Sequence, residues 1–282
     1  MTANLPPPAG PGLPPVALVL IGIGTGNPDH LTRQAITAMN AADLILLPHK
    51  GEDKAELAAL RQALCDAVLV AEPAPRIAGF DMPVRRSQGD DYLAQVDEWH
   101  AAIARCWQDA ITRAVGSPMP EVLRVALLVW GDPALYDSTL RIAARMQPAP
   151  VRVEVVAGIT SVQALAAAHA VPLNDIGQPF VVTTGRQLRE QGWPAGVDTA
   201  VVMLDGQCSF RALPPKGLHI WWGAYLGMPQ QLLDSGPLAE AGPRIERTRA
   251  AARAEHGWIM DIYLLRRSPR LPAIEGPPLS AV

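Results

Sequence analysis

The chain has 282 residues, 49% hydrophobic and 18% charged, enough to bury one large core or two ordinary ones. A net charge of −3 excludes nucleic acid as the main partner, because neutralising phosphates requires a basic surface. No apolar run reaches the roughly 18 residues of a membrane helix, so no membrane partner is expected.

The opening MTANLPPPAGPGLPP holds six prolines in fifteen residues and lacks the charged-then-apolar order of a signal peptide. It reads as a disordered tail, 1–15. Cys65, Cys106 and Cys208 are far apart and form no C-x-x-C, which indicates neither a disulfide framework nor a zinc site. The six histidines show no ligand spacing, so no metal is expected. Cysteine usage of this kind points to the cytoplasm. Only Lys50, Lys54 and Lys216 are lysines among 24 basic residues, and the arginines that make up the rest suit bidentate carboxylate contacts.

From residue 16 the pattern alternates. The run 16–23 is a buried-strand type, and 31–42 carries helical spacing at Leu31, Ala35, Ile36 and Met39. Residues 43–47 make a second strand closed by Pro48, followed by a helix at 54–65. Residues 73–84 read as loop with room for a short strand, and 90–115 as a long amphipathic helix. Next, 122–129 (VLRVALLV) is a central strand that runs into Trp130-Gly-Asp-Pro133 and a helix through Met146. Pro148 and Pro150 mark a linker. After it come a strand at 151–156 and an alanine-rich helix to Ala170. Strands at 180–184, 200–204, 218–222 and 258–266 have fewer helices between them, so some pair antiparallel. The pattern predicts two α/β domains: 16–150, mostly parallel, and 151–267, mixed, with a flexible tail at 268–282.

Ligands in open α/β sheets sit at the carboxyl ends of strands, which draws attention to four glycine turns: 22–27, 130–133, 157–161 and 222–227. The first, GIGTGNPDH, invites a dinucleotide reading. Its glycines fall at 22, 24 and 26, however, and Asn27 holds the last position of G-x-G-x-x-G. No acid stands at the tip of the second strand for a ribose, and no Gly-Lys-Ser/Thr follows for a phosphate loop. A plain strand-to-helix turn, with Asp29 near the N-terminus of the next helix, explains it equally well. In the second turn Gly131 allows close approach, Pro133 presets a first helical turn, and Asp132 can cap a helix or accept from a ligand amine. Capping leaves the flanking Trp130 and Tyr136 unexplained. In the third turn, Thr160 or Ser161 at a helix N-terminus can cap the helix or help hold a carboxylate.

Three of these turns stand in a fixed order: GIGTGNPDHLT followed by ADLIL, then GDPALY, then AGITSVQALAAA. In that order, across residues 16–267, the sequence resembles the tetrapyrrole (corrin/porphyrin) methylases. It departs from the family pattern at Thr25 (usually proline), Asn27 (an acid), Trp130 (glycine), Ala157 (proline) and Thr160 (serine). The resemblance implies a tetrapyrrole methylase fold with an inter-domain cleft, S-adenosylmethionine as methyl donor, a precorrin as substrate and a homodimer. It implies cofactor contacts at Trp130, Gly131, Asp132 and Tyr136, then Thr160 and Ser161, then Met203, Leu204 and Ala224, with Thr25 lining the same cleft. Gly22 and Gly24 would admit the flat macrocycle, and Arg86 and Arg186 would meet its carboxylates. The C-terminal RTRAAARAEHGWIMDIYLLRR is similar to the member that methylates precorrin-5 at C-1 and releases acetate. That second step needs a base, for which Tyr136, Asp205 and His49 are the open candidates. Three other readings compete: a methylase of another precorrin carbon or of a diphthine-type protein residue, an NAD(P)-dependent oxidoreductase, and a non-catalytic tetrapyrrole carrier.

Overall fold

A computed structural model describes residues 13–49, 55–84, 92–116 and 120–267. Arg86, the tail 268–282 and most of the tail 1–15 lie outside the described residues. The chain forms two compact units. One takes in the chain up to Ile23 and again Leu31–Gly158; the other takes in Gly24–His30 and the chain from Ile159 onward.

The first unit is built on β1 (Val16–Gly22), β2 (Leu44–His49), β3 (Arg76–Asp81), β4 (Leu123–Val129) and β5 (Arg152–Val156). They lie in the order β3-β2-β4-β1-β5, and every pair is parallel. A central parallel strand is buried on both faces, which is why β1 reads as an unbroken apolar run. Leu18 and Leu20 face one core; Val19, Ile21 and the following Ile23 face the other. Helices α1 (Arg33–Asn40) and α2 (Ala55–Val68) cover the latter with Ala35, Met39, Leu64 and Cys65. Helices α3 (Tyr92–Ala114) and α4 (Thr139–Ala143) cover the former with Ile103, Trp107, Ile111 and Ile142.

Several expected boundaries move. The cap of α1 is Thr32, whose Oγ1 accepts from Ala35 N at 3.0 Å, while Asp29 sits in a 3-10 turn, Pro28–His30. The second strand runs through Pro48 because β2 pairs with β4 only as far as Leu46, so the proline has a partner on one side alone. The helix expected straight after Pro133 shrinks to α4. Asp132 and Asp137 accept from Ala134 N (2.7 Å) and Thr139 N (2.6 Å), and Tyr136 lies at φ 49°, so local turns use the amides a helix would need. Finally, β5 pairs with β1 from Ala17↔Arg152 to Ile21↔Val156. Pro148 and Pro150 thus belong to a crossover feeding the first sheet, and the units divide after Gly158 rather than after residue 150.

The second unit holds β6 (Phe180–Thr184), β7 (Thr199–Met203), β8 (Leu218–Ala224), β9 (Leu232–Pro237) and β10 (Asp261–Arg267), in the order β6-β7-β10-β8-β9. β6 and β7 are parallel and the other pairs antiparallel, the mixed sheet expected. Helices α5 (Ser161–Ala168), α6 (Gly185–Gln191) and α7 (Leu238–His256) complete it. α7 is tied to β10 by a mostly buried ion pair, Arg249 Nε to Asp261 Oδ2 at 2.8 Å.

Candidate active site

In the first unit the turns leaving β1, β4 and β5 meet backbone to backbone. A Cβ on Gly22 would lie 2.6 Å from Gly158 N and 2.7 Å from the Gly131 carbonyl; one on Gly158 would lie 2.1 Å from that carbonyl. Gly131 itself adopts φ 64°, a conformation that favours glycine. Asp132 locks the contact: its Oδ2 accepts from Gly158 N at 2.9 Å while Oδ1 holds Ala134 N. Asp132 therefore joins two turns instead of capping a helix. The space a side chain would take at Gly22 is filled by the protein itself, so internal packing accounts for that glycine.

Beside this contact, Trp130 carries a cation on its ring. The guanidinium carbon of Arg61, from α2, lies 4.8 Å from the ring centroid, and Arg61 Nε donates to the Leu128 carbonyl at 3.3 Å. Arg61 is only 7% exposed. Burial pulls its pKa down to about 10 against the upward pull of Asp137, so it stays charged at neutral pH. Sequence reading passed over Arg61, yet the signal was there. It shares a helical stripe with the buried Leu64 and Cys65, a place for a charge only if it has a task.

In the second unit, Thr25 Oγ1 and His30 Nδ1 share a hydrogen bond of 2.8 Å. Both pack on the turn after β8, where a Cβ on Gly227 would lie 2.6 Å from His30 Cε1 and 3.1 Å from Thr25 Oγ1. Gly24 is left-handed at φ 71°, and a Cβ there would meet His30 Cβ at 2.6 Å, so this glycine too is explained by its neighbours. Thr160 caps α5 in a reciprocal box with Gln163, whose Oε1 accepts from Thr160 N at 3.1 Å. Ser161 follows as the first residue of α5. Met203 ends β7 and Leu204 protrudes, 66% exposed, at φ 53°. Ala224 is wholly buried at the end of β8, and its neighbour Tyr225 is also left-handed at φ 51°. Arg186 stands exposed in the first turn of α6, capped by Thr184. Five described non-glycine residues have positive φ, Tyr136, Ala170, Leu204, Cys208 and Tyr225. Tyr136, Leu204 and Tyr225 stand in the connections after β4, β7 and β8, and such backbone strain gathers at ligand sites.

Of the three candidate bases, Asp205 has another task. Its carboxylate accepts from Gln207 N (3.1 Å), Ser209 N (2.5 Å), Ser209 Oγ (2.6 Å) and Tyr263 Oη (2.6 Å), which fills its acceptor sites. Burial works to raise its pKa, but these bonds outweigh that and hold it below the usual carboxylate range. It is a structural anion and no proton acceptor. His49 ends β2 at the surface, its ring lying over Gly79. Tyr136 is 45% exposed, and burial raises its phenol pKa. Among the described residues no three His, Cys, Asp or Glu side chains are grouped to hold a metal, and no helix is long and apolar enough to cross a membrane.

Residues 17–242 match the family model of the Tetrapyrrole (Corrin/Porphyrin) Methylases. The chain is a tetrapyrrole methylase. This tetrapyrrole methylase is 47% identical over 253 residues to a precorrin-6A synthase [deacetylating] of Sinorhizobium sp, covering 89% of this chain and 95% of that enzyme. It superposes on a protein related to cobalamin synthesis (CobF) from Corynebacterium diphtheriae with a TM-score of 0.75 at 38% identity, covering 90% of this chain and 99% of the other. The uroporphyrin-III C-methyltransferase of Thermus thermophilus, solved with S-adenosylhomocysteine, shares the fold at a TM-score of 0.51 and 19% identity, over 89% of this chain and 97% of that one.

Proposed function

We propose that the chain is a precorrin-6A synthase of cobalamin biosynthesis: it methylates precorrin-5 at C-1 and releases the acetyl group as acetate. The observation that carries this reading is the 47% identity spanning 95% of the Sinorhizobium enzyme, with no large segment of that enzyme left unmatched. The exchange consumes one methyl donor and one water and yields acetate.

The methyl donor is S-adenosylmethionine, which supplies an electrophilic methyl group on a sulfonium. In-line displacement at that carbon needs alignment more than covalent help, and orientation contributes roughly 7–11 kcal/mol. A site made of strand-end turns suits that task. Within the second unit the exposed Leu204 offers apolar surface for a flat base, and Thr25 and Ser161 offer hydroxyls for polar groups. The cofactor set is Trp130, Gly131, Asp132 and Tyr136 in the first unit, and Thr25, Thr160, Ser161, Met203, Leu204 and Ala224 in the second. Thr160 and Ala224 are its buried members. Arg186 is retained for a substrate carboxylate. Three free cysteines fit a cytoplasmic enzyme, and the assembly is a homodimer, as the resemblance implies.

Purified protein given precorrin-5 and S-adenosylmethionine should produce acetate and S-adenosylhomocysteine in equal amounts. Methyl transfer without acetate would move the reading to another precorrin carbon. Thermal stabilisation by NADH and none by S-adenosylhomocysteine would favour an oxidoreductase instead.

A further inference from the structure

The first sheet splits at one place. β2 pairs with β4 only to Leu46↔Leu127, then continues with β3 to His49↔Asp81, while β4 continues with β1 to Gly22↔Val129. β2 leads to a helix on one face of the sheet and β4 to a helix on the other, which makes this split a switch point of the fold. A cavity of about 260 Å³ opens there. Its size is near the lower end of ligand pockets, which run from about 300 Å³, and far short of a macrocycle.

The cavity wall is rich in unused donors. Arg61 lines it, using Nε on the Leu128 carbonyl that β2 no longer reaches and one terminal nitrogen on the Leu57 carbonyl, both at 3.3 Å. Among the described residues its second terminal nitrogen makes no hydrogen bond. Among the described residues the indole N–H groups of Trp107 and Trp130, two residues of the cavity wall, are buried without a partner, and Trp107 is only 2% exposed. Native proteins rarely leave such groups unpaired unless a ligand or water takes them. The one carboxylate among the described wall residues, Asp137, accepts from Thr139 N at 2.6 Å and forms no ion pair with Arg61. Phe80 and Ile103 supply an apolar floor. A guanidinium and two indole N–H groups over hydrocarbon call for a small acceptor with a short apolar body.

We propose that this cavity is a binding subsite for a short-chain carboxylate, its oxygens on the open N–H groups of Arg61 and on the tryptophan N–H groups, its hydrocarbon against Phe80 and Ile103. That chemistry has two sources: the acetate that leaves in the reaction, an assignment resting on the function proposed above, or a carboxylate arm of the macrocycle. The site itself depends on neither.

Ligand-observed NMR on the full chain with acetate, propionate and butyrate, without tetrapyrrole, reads the site directly. Wild-type protein should bind at least one of these acids, and Arg61→Met should weaken that binding about tenfold or more, the loss expected for a charged hydrogen bond. Trp107→Phe, which keeps the ring, should weaken it roughly threefold and serves if Arg61→Met does not fold. Acetate inhibition of turnover that Arg61→Met relieves assigns the site to the released acid. A raised KM for the tetrapyrrole in Arg61→Met without acetate inhibition assigns it to an arm. Affinities for all three acids and a tetrapyrrole KM that are unchanged in a folded variant would overturn the proposal. Arg61-dependent acid binding in a protein that makes no product from precorrin-5 would leave the subsite standing and remove the proposed function.

Discussion

Gly158→Ala tests how the turns of the first unit are held. The new Cβ would stand 2.1 Å from the Gly131 carbonyl oxygen and 2.8 Å from Gly22 Cα. Both are backbone atoms at the ends of paired strands, so no side chain can rotate away. Overpacking of this kind costs about 1–3 kcal/mol. Displacing Gly158 N from Asp132 also forfeits a bond to a charged acceptor, for a combined loss of roughly 2–5 kcal/mol. At about 2–4 °C per kcal/mol for a chain of this size, Tm should fall by about 4–20 °C. Thermal and urea unfolding followed by circular dichroism, with and without S-adenosylhomocysteine, would measure it. Gly206→Ala, where a Cβ meets nothing within 4 Å, is the matched control and should stay near wild type. A Gly158→Ala protein that melts with the wild type would refute the backbone-contact account.

Gly131→Val places a branched side chain at φ 64° in the same contact and should abolish S-adenosylhomocysteine binding by calorimetry. Gly24→Val forces a left-handed backbone and a Cβ into His30, so the His30 imidazole resonances should shift and turnover should drop, with cofactor affinity the lesser casualty. Tyr263→Phe removes a 2.6 Å bond to the buried Asp205 carboxylate and should cost about 1–3 kcal/mol in urea unfolding. Acidification should destabilise the fold in two stages. Burial holds His169 below its ordinary 6.5, against the upward pull of its bond to the Trp222 carbonyl, so the unfolded chain takes up that proton first and stability begins to fall below 6.5. Asp205, held below 3.8, contributes stability that is complete above that value and is lost as pH falls through its lower folded value; Asp205→Asn should erase the second stage.

Much of this molecule was legible because burial on both faces writes itself as continuous apolar sequence: β1 and β4 could be read at sight, and so could the long α3. Mixed pairing in the last third followed from its scarcity of helices. What escaped depended on contacts distant in sequence. β3 is an edge strand with Arg76 and Ile77 exposed, so its composition resembles a loop until β2 is beside it. β5 looked like the start of a second domain because prolines precede it, and only its pairing with β1 shows otherwise. The resemblance implies that Gly22 and Gly24 admit the macrocycle, but the atoms a Cβ at either would meet, on Gly131, Gly158 and His30, are contacts that only the folded chain shows. Asp205 shows the same limit: a carboxylate at a strand end resembles a base until its four donors are counted.

The most direct test is the mass of the product formed from precorrin-5 with methyl-labelled S-adenosylmethionine. The product should be a macrocycle that has gained one labelled methyl and lost its acetyl group, with acetate released in step. A product that keeps the acetyl group, or carries no label, would contradict it.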